Sequence, residues 1–260
     1  MDTKHIVKAY DEELKHLNNT IMEMGGLAET QIASAIQAIV KRDSDLAAQV
    51  VEGDEQVDEM EHEVASFSVR LLALRQPMAS DLRNIVVALK VSSDIERIAD
   101  YAVNVAKRAF ALNVAPSVTP VIRIPRMGRL VQRMVKDVLD AYAERDVDKA
   151  MNVWAHDKDI DDMYDSLFRE LLTYMMEDPR SISACTHLLF IAKNIERIGD
   201  HATNIAENIY YLVHGRPWHK ARPKGAEAIF VAPEAAPLPG GAPGGDGGDG
   251  GPKVGATKKA

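Results

Sequence analysis

Two short stretches of this chain carry oxygen ligands at the spacing of helical turns. The first is Glu96, Asp100 and Asn104; the second, one hundred positions on, is Glu196, Asp200 and Asn204. Steps of four place such residues along one face of an α-helix. Upstream of each lies an acidic pair at the same step, Asp54 with Asp58 and Asp157 with Asp161. Each half of the chain can thus supply four carboxylates and an amide oxygen. Oxygen-only sets of this kind suit hard cations such as Mg, Ca, Mn or Fe. The plainer reading is a solvated helix face, with Arg97 paired to Asp100 and Arg197 to Asp200 at i,i+3. Like charges at i,i+4 are mildly destabilising, however, so their recurrence in both halves calls for compensation.

Other chemistry is thinly represented. Glu59 and His62 form one Glu-x-x-His pair, but the equivalent positions in the second half are Asp162 and Asp165. A ferritin-like di-iron centre needs two such pairs facing inward. There is no glycine-rich phosphate loop and no Ser-His-Asp pattern. The single Cys185 excludes an internal disulfide and a zinc-thiolate cluster, and is expected as a small buried apolar residue. His201 reads as a surface or groove residue.

Composition narrows the setting. Of 260 residues, 46% are hydrophobic, 27% charged and only 5% aromatic, with 11 Met; that profile favours packed helices over sheets. A net charge of -8 argues against a nucleic-acid or anionic-membrane binder. The absence of an apolar run of membrane-spanning length and of a signal-peptide core, with a lone Cys, predicts a cytoplasmic protein.

The elements that must position the acids follow from periodicity. A first helix is expected from about Lys4 to Lys41, with Leu14, Leu17, Ile21, Met24, Leu27, Ile32, Ile36 and Ile39 on its apolar face and Gly25-Gly26 as a soft spot. Asp43 reads as the N-cap of a second helix whose seam is Val50, Val57, Met60, Val64, Phe67, Leu71 and Leu74, ended by Pro77. The third helix begins near Ala79 or Ser80 and buries Val91, Ile95, Ile98, Ala102, Val105, Ala109 and Leu112. The connector Arg75 to Arg83 reads as a helix–proline turn–helix corner, with a partner-binding corner as its functional alternative. The plan then repeats. Met24-Gly25, Arg42-Asp43 and Asp54/Asp58 recur 103 positions later as Met127-Gly128, Arg145-Asp146 and Asp157/Asp161. The sixth helix carries Leu188, Ile191, Ile195, Ile198, Ala202, Ile205, Ile209 and Leu212, and stops at Gly215.

The predicted fold is all-α: a tandem repeat of two antiparallel three-helix bundles, elongated, in residues 1–112 and 126–216, joined by a proline-containing linker at 113–125. Residues 217–260, rich in Gly, Pro and Ala, are expected to form a flexible tail, with Ala228-Ile229-Phe230-Val231 as an apolar patch that docks or stays free. With Ile95 and Ala102 at heptad position a, the Glu, Asp and Asn of each strip fall at b, f and c, away from the seam. They are therefore expected as surface or groove features.

In Met24-Gly25, Arg75-Gln76-Pro77-Met78-Ala79-Ser80-Asp81-Leu82-Arg83, Asp94-Ile95-Glu96-Arg97-Ile98-Ala99-Asp100 and Ile195-Glu196-Arg197-Ile198-Gly199-Asp200-His201-Ala202-Thr203-Asn204-Ile205-Ala206-Glu207, the chain resembles the PhoU family of bacterial phosphate-signalling regulators. The resemblance runs from about Lys4 to Gly215. It implies a non-enzymatic, cytoplasmic, often dimeric protein that represses the phosphate regulon and modulates phosphate uptake. Such a protein links the ATPase subunit of the phosphate ABC transporter to a membrane sensor histidine kinase. It further implies iron or zinc at Glu/Asp-x-x-x-Asp motifs, which here are Asp54–Asp58, Glu96–Asp100, Asp157–Asp161 and Glu196–Asp200. Ala99 stands where those motifs usually have Gly. The alternative from the residues alone is a metal-dependent helical-bundle enzyme or a metal-storage protein using the same acids.

Overall fold

In a computed structural model, which describes residues 3–115, 122–220 and 222, the chain is all-α, with no strand among the described residues. The middle of the expected linker, including Pro116 and Pro120, and the Ala228–Val231 patch lie outside the described residues, as does the tail apart from 217–220 and 222. The first bundle is α1 (Thr3–Lys41), α2 (Ser44–Glu52), α3 (Asp54–Arg75) and α4 (Ser80–Val114). The second is α5 (Ile124–Glu144), α6 (Val147–Ala155), α7 (Asp157–Glu177) and α8 (Ile182–His214). Among the described residues, no helix is long and apolar enough to cross a membrane.

The middle helix expected in each bundle is two helices. Gly53 separates α2 from α3 and His156 separates α6 from α7. At the first break, Gln31 Nε2 donates to the Gly53 carbonyl at 2.9 Å, satisfying a group the helix no longer uses. The break also alters the seam. Val57, Val64 and Leu71 are buried, whereas Leu74, expected on the same face, is 69% exposed.

The helix starts after each first turn are built alike. Asp43 accepts a hydrogen bond from Leu46 N at 2.9 Å and Asp146 from Lys149 N at 2.9 Å, so both middle helices open on a side-chain cap. Each Asp follows an arginine in the left-handed region, Arg42 at φ 54° and Arg145 at φ 55°. Glycine is usual at such a position. At Arg42 the side chain explains the exception: its Nη2 donates to the carbonyls of Leu112, Asn113 and Ala115 at 2.8, 2.7 and 2.6 Å, capping the C-terminus of α4.

Two pairings join the halves, α1 with α5 and α4 with α8. α1 runs unbroken through Gly25-Gly26 because Gly25 is a contact, not a break. A Cβ there would sit 2.7 Å from Leu139 Cδ1, and one at Gly128 would sit 2.8 Å from Ile36 Cγ1. Gly25 and Gly128 are 103 positions apart, and so are Ile36 and Leu139. The two contacts are therefore one contact repeated by the pseudo-symmetry of the chain. α4 and α8 run antiparallel: Arg83 meets Gly215, Asp94 meets His201, and Arg108 lies over the ring of Phe190. All the apolar positions predicted on α4 and α8 are buried.

Candidate acidic grooves

In the first bundle Asp54 begins α3 and Asp58 follows one turn on, while Glu96, Asp100 and Asn104 lie along α4. Because α3 packs on α4, the two sets face each other. The electrostatics register this. Burial pushes the Asp54 carboxyl up, the charges of Asp58 and Asp100 push it further, and Lys107 opposes them. Burial likewise raises Glu96, helped by Asp100, Asp58 and Glu61 and opposed by Arg97. Asp54 Oδ1 is buried without a hydrogen-bond partner. Arg97 pairs with Asp100 at 2.9 Å and with Glu96 at 3.4 Å, as the plainer reading requires. Asn104 is exposed.

The second bundle repeats the arrangement more deeply. Asp157, at the start of α7, is only 3% exposed. Its carboxyl is pushed up to about 7, first by burial, then by the charges of Asp161 and Asp200; Arg222 opposes the rise and Glu196 adds to it. Glu196 is also raised, by burial first; Lys193 opposes this with a hydrogen bond of 2.8 Å and its charge. Arg197 lies 3.5 Å from Asp200.

Heptad numbering places these acids away from the seam, on the surface or in a groove, and the one departure is the depth of Asp157. They lie away from the seam, but α3 and α7 cover them, so they form grooves and Asp157 is buried. One heptad describes one seam, whereas α8 packs on α4, α5, α6 and α7 at once. Glu59 and His62 are exposed, with His62 Nδ1 on the Asp58 carbonyl at 2.7 Å. Cys185 is buried, as expected.

Several residues at the second groove carry no sequence signal of their own role. Asp94 Oδ1 accepts from His201 Nδ1 at 2.8 Å and from Asn204 Nδ2 at 3.2 Å, tying the second strip to α4. The repeat offers one hint: the counterpart of Asp94 is Asn194, and that of His201 is Tyr101. Beyond α8, Trp218 packs edge-on against Trp154 and Tyr210, at 5.5 and 4.8 Å. Arg222 Nε donates to Glu207 Oε1 at 3.1 Å, and its Nη2 donates to Asn204 Oδ1. Both residues lie where composition predicts a tail, and nothing periodic marks them. Between α4, α8 and this segment lies a cleft of about 600 Å³, lined by Asp94, Asn204, Glu207, Tyr211 and Trp218 among others.

The donor chemistry fits a hard cation: every candidate ligand is an oxygen, several are desolvated, and Asp54 Oδ1 has no donor to satisfy it. Among the described residues, no three His, Cys, Asp or Glu side chains converge closely enough to form a ligand set as they stand. Closure on an ion therefore requires the carboxylates to change rotamer.

Tandem helical bundles, each with an acidic groove between its middle and last helices, define an all-α repeat protein with one polar groove per repeat. The PhoU domain model matches residues 21–109 and 124–209, one match per bundle. The chain is 54% identical over 223 residues to a Caulobacter vibrioides protein named phosphate-specific transport system accessory protein PhoU homolog, covering 85% of this chain and 97% of that one. A Zymomonas mobilis protein of the same name is 50% identical over 212 residues, 82% of this chain and 90% of its own. Among solved structures, PhoU from Pseudomonas aeruginosa superposes with a TM-score of 0.78 at 44% identity, over 80% of this chain and all of that one. The phosphate transport system regulatory protein PhoU from Streptococcus pneumoniae gives 0.76 at 28% identity, over 81% of this chain and all of that one. The chain belongs to the PhoU family.

Proposed function

We propose that this chain is a non-catalytic accessory protein of phosphate-specific transport. It restrains phosphate-responsive genes when phosphate is plentiful, binding the transporter's ATPase subunit on one side and a sensor histidine kinase on the other. A binding protein of this sort works by holding one state of its partner at the expense of another. The observation that carries the reading is the 54% identity to the Caulobacter vibrioides accessory protein over 97% of that protein's length, which spans both repeats. Deleting the gene in its host should leave a phosphate-responsive promoter active in phosphate-rich medium. Purified chain should also retain the ATPase subunit on a column. Normal repression in the deletion strain would refute the proposal.

The grooves are proposed to hold hard cations, in support of binding and not of catalysis. Asp54, Asp58, Glu96, Asp100 and Asn104 would hold one in the first bundle, and Asp157, Asp161, Glu196, Asp200 and Asn204 one in the second. The partnerless Asp54 Oδ1 favours this reading. An all-oxygen set suits Mg, Mn, Ca or iron better than zinc. A bound cation would offset the repulsion that now raises Asp54, Glu96 and Asp157. Elemental analysis of the wild type beside an Asp54→Ala, Asp100→Ala variant tests the first groove; unchanged metal content would remove it as a site.

A further inference from the structure

The geometry points to Arg222 as an internal cation that closes one end of the second acidic groove, at Asp200 and Asn204, so that a hard cation binds there only when the Arg222 side chain moves off those oxygens. This inference rests on the cation reading of the grooves proposed above.

Three contacts define the closed state. The Arg222 guanidinium donates to Glu207 Oε1 at 3.1 Å and to Asn204 Oδ1, and its Nη1 lies 3.7 Å from Asp200 Oδ1. Asp200 and Asn204 are two of the candidate ligands of that groove. Around buried Asp157, the carboxylates Asp161, Asp200 and Glu196 all repel an ionised partner, and Arg222 is the cation that opposes them. A guanidinium is a fixed charge with a planar fork of donors, suited to several oxygens at once. It therefore offsets the negative charge of this groove as an added ion would, and it engages two of the candidate ligands, Asp200 and Asn204.

A second, independent contact anchors the segment. Trp218 lies against Trp154 and Tyr210, and Trp154 Nε1 donates to the same Glu207 Oε1 at 3.1 Å. Glu207 is thus the point where the aromatic anchor and the arginine meet. Trp218 Nε1 itself is buried with no hydrogen-bond partner, so the anchor holds by ring packing alone. Such a contact can part without leaving a chain of broken hydrogen bonds behind.

The first groove is built differently at the equivalent position. One hundred residues before Glu207 stands Lys107, and one hundred before Tyr210 stands Phe110. Lys107 is exposed and opposes the rise of Asp54 through its charge, without an ion pair among the described residues. Where the first repeat places a solvated lysine, the second places a glutamate that recruits an arginine from beyond α8. The two grooves should therefore differ in cation affinity, the first open and the second closed by its own chain.

The test is a Mn²⁺ titration of the full chain, counting bound ions from the loss of the free-ion EPR signal. Wild type should show one class of site, lost in Asp54→Ala, Asp58→Ala. Arg222→Gln should gain a second class, about tenfold or more tighter than any second binding by wild type, because a unit charge within about 4 Å of the ligands is gone. Arg222→Lys keeps the charge and should gain much less. Thermal unfolding of each variant reports whether the fold is intact, and tryptophan fluorescence should show the Trp218 environment opening in wild type only at high Mn²⁺. Equal ion counts and affinities in wild type and Arg222→Gln overturn the inference. If wild type binds at the first groove while Arg222→Gln gains nothing, this inference fails and the cation reading stands; if no protein binds Mn²⁺, both fail.

Discussion

Asp157→Asn should make this protein more stable, and increasingly so as pH rises. The Asp157 carboxyl is almost fully buried and ionises near 7, against 3.8 for the same group in an open chain. Between those values the folded state holds a proton that the unfolded chain has released. The stability supported by the protonated carboxyl is therefore full below pH 3.8 and falls as pH rises toward 7. Each pH unit in that window is worth ~1.4 kcal/mol until the folded group begins to ionise near 7, so the wild type loses ~2 kcal/mol between pH 5 and pH 7 through this group alone. Asn has the same shape and an oxygen acceptor but nothing to ionise. The advantage of Asp157→Asn should thus grow by ~3 kcal/mol from pH 5 to pH 8. Urea unfolding at pH 5, 6, 7 and 8, followed by circular dichroism in the presence of a chelator, measures it. Glu196, Asp54 and Glu96 titrate in both proteins and cancel to first order. A stability difference independent of pH would show that Asp157 is charged in the fold and that its groove is wet.

Adjacent glycines on α1 should respond in opposite directions. Gly25→Ala drives a Cβ into Leu139, and Gly128→Ala drives one into Ile36, so each should cost about 1–3 kcal/mol in chemical denaturation. At Gly26 a Cβ meets nothing within 4 Å, and Gly26→Ala should stabilise the helix by about 0.5–1 kcal/mol. Asp43→Ala and Asp146→Ala each remove a side-chain helix cap and should each lower stability by about 1 kcal/mol, additively, since the caps belong to different bundles. Gly199→Ala, inside α8, should likewise raise stability by about 0.5–1 kcal/mol, because its Cβ would meet Asp157 and Ile160 at 3.7 Å, ordinary contact distance.

What could be read from the residues was what repeats. The apolar positions of α4 and α8, the aspartate caps and the stop at Gly215, which sits at φ 69°, all follow from periodicity or from local hydrogen bonding and recur in the structure. The acids were legible as two matched sets and as neighbours, because a step of four on a helix leaves few arrangements. Their depth was not. Burial of Asp157 depends on α7 closing over α8, and heptad numbering of one helix holds no information about a second neighbour. The breaks at Gly53 and His156 escaped for a related reason: the seam residues Val50 and Val57 keep their seven-residue step across the break, so the apolar pattern passes over it. Trp218 and Arg222 were illegible because a single aromatic and a single cation beyond the last helix have no period, and their partners are set by tertiary packing.

The pattern of symmetry and divergence bears on how such a chain works. The contacts that hold the halves together are duplicated: Gly25 on Leu139 matches Gly128 on Ile36, and the apolar faces of α4 and α8 match position by position. Across the α4–α8 pairing the polar residues diverge: Asp94 stands against Asn194, Tyr101 against His201 and Lys107 against Glu207. Each of these swaps changes a charge or a donor, and none alters the seam. Together they direct His201 and Asn204 onto Asp94, so the second groove is wired to the first bundle, while the first groove makes no matching bond through Asn104, which is exposed. If the proposed occupancy of the second groove changes, the contacts of His201 and Asn204 with Asp94 are the route to α4, where Asp94 stands ten positions or fewer from Glu96, Asp100 and Asn104. Two identical grooves could report only how much ligand is present. On the proposed reading, two unequal grooves on a shared helix pair would give the molecule states that differ in which groove is closed, as a binding protein with two partners requires.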